Sequence, residues 1–302
     1  MNYGFVKVAA AVPRVKIADC DYNAESILQL MTEADAKGVE IMVFPELCIT
    51  GYTCGDLFAQ EVLLGDAEQA LGKIVECSSS LHVIAIVGMP LALNGHLLNA
   101  AVVVQRGVIA GIVPKTYLPN SKEYYEKRWF VSALEVSETN CLILGQCVPL
   151  GADLVFRTHD STCFGIEICE DMWATVPPSS LLALQGAQII FNLSASNDYI
   201  GKHTYRCSLL AQQSARCIAG YVYSACGFGE STTDVVFGGN ALIYENGTQI
   251  ASGTRFSLDP QLVVSEIDVE RLRSERRVNT TFAACRHHLT PDRNRLIPID
   301  NN

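Results

Sequence analysis

The sequence lacks a run of about 18 uncharged apolar residues, the length that a membrane-spanning helix needs. Its beginning has lysines inside the apolar part and no clean cleavage site for a secretory signal. It also lacks a CxxC pair and zinc-finger spacing, although Cys285, His287 and His288 lie close together. We therefore predict a cytoplasmic protein without a membrane segment and without a bound metal.

Positive charge is scarce, since the sequence has 22 Lys and Arg residues and 32 Asp and Glu residues, which gives a formal net charge of −10. Nucleic-acid binders need clustered basic residues to displace counterions from phosphate, so we exclude a nucleic-acid partner. Four arginines are interleaved with two glutamates, which predicts a solvated helix face formed by Arg271, Arg273, Arg276 and Arg277 with Glu270 and Glu275. The twelve cysteines are scattered, which indicates a reducing compartment rather than a disulfide framework.

The chain alternates strand-like and helix-like segments without a long linker, and 302 residues with 49% hydrophobic content suffice for one large α/β domain. The pattern predicts strands at 6–12, 41–44, 162–168, 188–193, 221–225 and 262–267, hairpin turns at Asn94–Gly95, Arg106–Gly107 and Asn246–Gly247, and helices at 23–37, 60–80, 180–186 and 203–219. The third helix has a serine as its predicted cap. Strands end at polar loops, where α/β folds place their chemistry.

Three chemically capable side chains follow apolar strands: Glu46, Lys115 and Cys169. Taken alone, each residue has an ordinary structural interpretation: Glu46 as a cap, Lys115 as a solvated lysine at a strand end, and Cys169 as a small buried apolar residue. Together they can supply a base, a cation for an oxyanion and a nucleophile. None of the six histidines lies beside a motif-like loop, which disfavours a Cys/His dyad.

These segments resemble the carbon-nitrogen hydrolase (nitrilase) superfamily and, within it, the glutaminase domains of glutamine-dependent NAD synthetases. The matching motifs are residues 51–58 (GYTCGDLF), 115–120 (KTYLPN), 167–173 (EICEDMW) and 192–196 (NLSAS). The resemblance implies an α-β-β-α sandwich of two mixed β-sheets flanked by helices. It implies a glutaminase domain at 1–270, with 271–302 as a C-terminal extension or the start of a linker to a synthetase domain absent from this chain.

The resemblance also implies the reaction. Cys169 would attack the side-chain amide of glutamine and form a thioester, with Glu46 as the base, Lys115 at the oxyanion and Glu126 as a second carboxylate. The ammonia would serve amidation of deamido-NAD by a synthetase domain or subunit, in a homo-oligomer. The hydrolase step would need no cofactor, and ATP would belong to the absent synthetase domain.

For substrate binding, the resemblance implies Tyr52, Tyr124, Trp173, Ser196 and Lys202. Lys202 stands where relatives often carry arginine, so a single charge contact replaces a bidentate clamp. Tyr52 and Trp173 are equally well interpreted as core aromatics.

Two other functions stay open at this point. One is a stand-alone amidase of the same fold, acting on another small amide or nitrile. The other is a catalytically silent scaffold that docks onto a synthetase partner, which the presence of Glu46, Lys115 and Cys169 disfavours.

Overall fold

The computed structural model describes residues 4–288 and 295–299, except for the side chain of His288. These residues form fifteen strands: β1 Phe5–Val12, β2 Ile41–Val43, β3 Ile84–Leu93, β4 His96–Gln105, β5 Val108–Pro114, β6 Asn140–Ile143, β7 Gln146–Pro149, β8 Leu154–Arg157, β9 Cys163–Ile168, β10 Ile189–Ser194, β11 Gly220–Ala225, β12 Ala241–Glu245, β13 Thr248–Ser252, β14 Gln261–Asp268 and β15 Arg295–Pro298.

Most of these strands belong to two large mixed sheets. The first has the order β14-β1-β2-β3-β4-β5, and β1, β2 and β3 run parallel in it. The second has the order β13-β12-β11-β10-β9-β8-β15, with β9, β10 and β11 parallel. Strands β6 and β7 form a separate pair. Because parallel neighbours end at the same edge, the loops after β2 and β9 lie at strand ends that can meet.

The two sheets pack face to face, and β1 shows how the sequence produces this layer. Its Val6, Val8 and Ala10 side chains belong to the core between the sheets. The alternate residues Ala9 and Ala11 point to the other face, where they pack with helices. A strand that is apolar on both faces must be covered on both sides, so the first sheet lies between a sheet and a helical layer.

Helices cover the outer faces of both sheets. They are α1 Cys20–Ala36, α2 Glu61–Ser78, α3 Pro178–Leu184, α4 Lys202–Cys217, α5 Val269–Val278 and α6 Thr280–Cys285. Helices α1 and α2 pack on the first sheet, and α3 and α4 pack on the second. In α1, the buried residues Ile27, Met31 and Ala34 recur at helical spacing and form the stripe that faces the sheet. The α-β-β-α sandwich implied by the resemblance is confirmed.

The predicted strands, hairpins and long helices are confirmed within a few residues, and the differences have local causes. Helix α1 begins earlier than predicted because Asp19 caps it, accepting a hydrogen bond from the Tyr22 backbone N–H at 3.1 Å. The serine cap predicted for α3 is wrong, since this helix begins at Pro178 without a side-chain cap. The helix expected around residues 271–277 is present as α5, whereas strands β6, β7, β8 and β15 and helix α6 were not predicted.

The prediction of a solvated arginine face at 271–277 is wrong for Arg276. Its guanidinium is buried and donates hydrogen bonds to backbone carbonyls of Ala187 and Cys217 at 2.7 and 2.8 Å, and to Ile218 at 3.0 Å. Burial lowers the pKa of Arg276 to about 10. The side chain thus donates hydrogen bonds to backbone carbonyls at or just beyond the C-terminal ends of α3 and α4. It thereby joins α5 to the helices that cover the second sheet.

Across residues 4–288 and 295–299, no helix combines the length and the apolar character required to cross a membrane.

Candidate active site

Glu46 lies in the loop that follows β2, and its side chain is fully buried. Its Oε1 atom accepts hydrogen bonds from Asn99 Nδ2 and from Lys115 Nζ, each at 2.6 Å. Among the described residues, no donor reaches the other carboxylate oxygen, Oε2, which is also buried. An unpaired carboxylate lone pair can accept a proton, so this geometry leaves Oε2 available as a general base.

The loop that carries Glu46 packs directly against Gly88 of β3. A Cβ at Gly88 would lie 2.4 Å from the Leu47 backbone nitrogen and 2.8 Å from the Pro45 carbonyl oxygen. Because these are backbone atoms, Gly88→Ala must displace the loop, and we expect kcat/KM for the amide substrate to fall by about 100-fold. The matched variant Gly72→Ala on α2, whose nearest new contact is 3.6 Å away, should keep its activity and lose no stability. Equal kinetics and equal melting temperatures for both variants would contradict this account.

Lys115 is the first residue after β5, and its ammonium is fully buried. It donates to Glu46 Oε1 at 2.6 Å and to the two Glu126 oxygens at 2.7 and 2.9 Å. Glu126 also accepts a hydrogen bond from the Tyr52 hydroxyl at 2.9 Å. Burial alone would lower the pKa of Lys115, but the carboxylates of Glu126 and Glu46 raise it well above its usual value. One charged lysine therefore holds two carboxylates together.

The pKa of Glu126 predicts a pH-dependent stability. Burial raises this pKa from 4.5 to about 7, the charge of Lys115 opposes the rise, and that of Glu46 adds to it. The folded state therefore holds the proton more tightly than the unfolded state, so this stabilisation is fully present below pH 4.5 and is lost as the pH rises through about 7. We expect the free energy of unfolding to depend less steeply on pH in this window for Glu126→Gln. Urea unfolding of both proteins across the window measures the slope, and parallel curves would be the contrary result.

Cys169 follows β9 directly and has a left-handed backbone, with φ +47°. Its side chain is almost fully buried, at 4% exposure. Burial raises the pKa of the thiol well above its usual value; the charge of Glu46 adds to the rise, while Lys115 and the Ala195 backbone N–H oppose it. The thiol is therefore protonated at rest, and it lies within electrostatic range of both the candidate base and the candidate cation.

Cys169 opens into a cleft of about 610 Å³. Four predicted substrate-binding residues line the same cleft: Tyr124, Trp173, Ser196 and Lys202. The Lys202 ammonium lies 5.4 Å from the ring centre of Trp173 and 5.9 Å from that of Tyr124. Burial lowers the pKa of Lys202. The cleft therefore combines the thiol with a cation and two aromatic faces, which suits a small polar ligand that carries an anionic group.

Tyr52 lines a neighbouring cavity of about 210 Å³ instead of this cleft. Its hydroxyl bonds Glu126, and its ring packs edge-on against Tyr124 with centroids 6.4 Å apart. Buried Glu230 accepts hydrogen bonds from the backbone N–H groups of Tyr52 and Thr53 at 2.8 and 3.0 Å. Through these contacts, Tyr52 supports the Glu126 side chain. Substrate binding by Tyr52 stays a prediction.

Two residues that support the site were not predicted. Asn99 holds Glu46, and a single amide inside the apolar strand β4 was the signal that could have revealed it. Arg206 is fully buried and pairs with Asp198 at 2.9 Å while donating to the Asn197 carbonyl at 2.8 Å. It thereby fixes the loop that lines the cleft. An arginine on a polar helix looks like a surface residue, so the sequence carried no signal for it.

Among the described residues, no group of three or more His, Cys, Asp or Glu side chains is arranged to hold a metal ion. Of the candidate set Cys285, His287 and His288, the side chain of His288 lies outside the described residues.

Two stacked mixed sheets, with a cysteine beside a buried carboxylate-lysine cluster at the strand ends, define an α/β enzyme of the hydrolase class. The chain belongs to the carbon-nitrogen hydrolase family, whose model matches residues 7–277.

Individual proteins are similar to this chain over most of its length. Glutamine-dependent NAD(+) synthetase of Mycobacterium leprae is 40% identical over 284 residues, which cover 93% of this chain and 42% of that protein. The crystal structure of a glutamine-dependent NAD(+) synthetase from Cytophaga hutchinsonii has a TM-score of 0.79 and 29% identity, covering 87% of this chain and 43% of that one. A carbon-nitrogen hydrolase from Helicobacter pylori shares the fold, with a TM-score of 0.74, 17% identity and coverage of 91% and 94%. The chain thus spans about two fifths of the length of the curated relatives it matches.

Proposed function

We propose that this chain is the glutaminase part of a glutamine-dependent NAD synthetase. The observation that carries the proposal is the buried cluster in which Lys115 bridges Glu46 and Glu126 beside the Cys169 thiol. This cluster supports amide hydrolysis through a thioester. The names of the relatives from M. leprae and C. hutchinsonii support glutamine as the amide.

In the first step, the Cys169 sulfur bonds to the amide carbon of glutamine while its proton passes to Oε2 of Glu46. The electron pair of the C=O π bond moves to the oxygen. The Lys115 ammonium and the backbone N–H after Cys169 hold the negative charge that develops there. In this step, Cys169 therefore loses its proton as its sulfur bonds to the carbonyl carbon.

In the second step, the oxyanion electrons reform the C=O bond and the C–N bond breaks. The leaving nitrogen takes the proton from Glu46 and departs as ammonia, which leaves a thioester on Cys169. Glu46 then removes a proton from water, and the hydroxide attacks the thioester carbon. The C=O bond reforms as the C–S bond breaks, the thiolate regains its proton from Glu46, and the new γ-carboxylic acid gives its proton to the ammonia or to water as glutamate is released. Each atom and proton is accounted for by the chain's own side chains and water.

Substrate recognition is proposed for the cleft. The α-carboxylate of glutamine would pair with the Lys202 ammonium, and Tyr124, Trp173 and Ser196 would enclose the rest of the ligand. An ammonium is a compact point charge, so this contact orients the carboxylate less strictly than an arginine fork does.

The larger reaction is proposed from the relatives alone. The ammonia would amidate deamido-NAD at a synthetase domain or subunit, where ATP would be used, and the hydrolase step itself would need neither a metal nor a cofactor. A homo-oligomer in the cytoplasm stays a prediction that light scattering and cell fractionation can test.

Glutamate and ammonia release from glutamine tests the proposal, measured beside asparagine, propionamide and propionitrile. We expect glutamine to be turned over and the others to be poor substrates, because they lack either the side-chain length or the α-carboxylate. An electrophilic glutamine analogue should add its mass to the peptide that contains Cys169. Turnover of propionamide with inert glutamine would assign the chain to the stand-alone amidases instead. No turnover and an unmodified Cys169 would revive the silent scaffold.

A further inference from the structure

Lys115 and Cys169 must act on one carbonyl group, yet they belong to different sheets. Lys115 follows β5 of the first sheet, and Cys169 follows β9 of the second. Apolar packing is not directional, so it fixes the position of one sheet relative to the other less precisely than hydrogen bonds do. A hydrogen-bonded link between the two strand ends would therefore set the position of the ammonium relative to the sulfur more precisely.

Asp171 forms this link. Its side chain is buried, with 1% exposure. Its Oδ1 atom accepts hydrogen bonds from the backbone N–H groups of Tyr117 at 2.7 Å and Thr116 at 3.2 Å, directly after the lysine. Its Oδ2 atom accepts from the backbone N–H of Ile168 at 2.9 Å, directly before the nucleophile. One carboxylate thus ties together the chain on both sides of the reacting groups.

The link needs a group that accepts hydrogen bonds at both ends. Each oxygen of Asp171 faces a backbone N–H, and a carboxylate is the side chain that offers two acceptors and no donor. Burial raises the pKa of Asp171, but the backbone N–H groups of Ile168 and Tyr117, which can bond only to acceptor oxygens, oppose this rise and favour the ionised form. An amide at this position would turn its NH₂ group towards one of the N–H donors, so one of the two loops would be released.

The bond to Ile168 has a second effect on the nucleophile. Asp171 reaches back across Cys169 to the backbone N–H of Ile168, and so closes the turn in which Cys169 holds its left-handed conformation. Backbone strain of this kind persists only where surrounding contacts enforce it. We infer that Asp171 is a positioning residue, which holds Lys115 and Cys169 in register across the two sheets and keeps the nucleophile turn closed.

Buried Glu167 makes a contrasting set of contacts on strand β9. Buried Glu167 is two residues before the nucleophile, but it accepts hydrogen bonds from the Ser179 backbone N–H at 2.8 Å and from the Tyr221 hydroxyl. These partners belong to α3 and β11, on the same side of the inter-sheet core as β9. Glu167 is therefore a matched control for the loss of a buried carboxylate that spans no sheets.

The inference deepens the proposed function of the same site, and its test is chosen to be independent of the substrate. The rate at which iodoacetamide modifies Cys169, followed by mass spectrometry of its peptide at several pH values, reports the nucleophile without any amide turnover. We expect Asp171→Asn to lower this rate, and kcat/KM for whichever amide is hydrolysed, by about 100-fold, because a displacement of about 1 Å costs that much. Glu167→Gln should stay within about threefold of the wild type.

A double-mutant cycle separates positioning from a purely structural role. If Asp171 acts through the position of Lys115, then Asp171→Asn should lower the modification rate by less than about threefold in a Lys115→Met background. An equal loss in both backgrounds would show that Asp171 does not act through the position of Lys115 and would overturn the inference. So would an unchanged rate in the single variant, or an equal loss in Glu167→Gln.

Asp171→Glu keeps the experiment informative if the asparagine variant does not fold. This variant retains the charge and adds one methylene group, so we expect it to fold, with a melting temperature closer to that of the wild type than that of the asparagine variant. The longer side chain should displace the residues that follow Lys115 and so lower the rate of Cys169 modification. Full activity in this folded variant would overturn the inference. Failure of glutamine hydrolysis in the wild type would contradict the proposed function only, because the modification cycle would still report on Asp171.

Discussion

Replacing Cys169 with alanine should lower the rate of glutamine hydrolysis by about 10⁶-fold, because removal of a nucleophile removes the covalent pathway as a whole. The free energy of unfolding should change by less than about 1 kcal/mol. The thiol is protonated at rest and lines a cleft, so its loss leaves no charge without a partner. Ammonia release and urea unfolding measure the two quantities.

Cys217→Ala provides the matched control. Cys217 is also buried, at 3% exposure, and its pKa is raised by burial to about 12, but its sulfur contacts Gln213 and the Ser179 carbonyl away from the cleft. This variant should keep at least half of the activity and lose about 1 kcal/mol of stability. A Cys169→Ala protein that still releases ammonia at a tenth of the wild-type rate would refute the thioester.

Replacing Lys115 with methionine should have the second-largest effect and should reduce both rate and stability. Glu46 and Glu126 are 0% and 1% exposed, and without the ammonium they would be two buried carboxylates with no counter-charge. Breaking a buried ion pair from one side costs about 3–5 kcal/mol. The pair would relieve its repulsion by taking up a proton, which removes the base, and the oxyanion would lose its cation. We therefore expect kcat to fall by at least about 1000-fold.

The double variant Lys115→Met/Glu126→Gln tests the electrostatic part of this argument. It removes one negative charge together with the positive one, so it should be more stable than Lys115→Met and equally inactive. Chemical unfolding and ammonia release measure both properties. A double variant that is less stable than Lys115→Met would contradict the charge argument, and recovered activity would contradict the role of Lys115 at the oxyanion.

The predictable part of the site is the part that is local in sequence. Glu46, Lys115 and Cys169 each follow an apolar run directly, so the pattern alone located them at strand ends. Their convergence depends on which strands pair and which sheets stack, and periodicity does not encode that; here it came from the resemblance to a family. Asn99 was missed for the same reason, since the carboxylate that it holds lies 53 residues away in the sequence.

The fold shows the same division between local and distant information. Long amphipathic helices and hairpins with Asn-Gly or Arg-Gly turns were predictable because a few neighbouring residues determine them. Strand β15 has four residues and is placed by its parallel pairing with β8. Short elements of this kind take their structure from tertiary contacts, so their own sequences carry little signal.

Peroxide and alkylating agents must reach a thiol before they can modify it, and Cys169 is 4% exposed, so it should react more slowly than thiols at the surface. Oxidants should therefore modify the exposed thiols of Cys77, Cys147 and Cys285 first, and none of these three residues lines the cleft that contains Cys169.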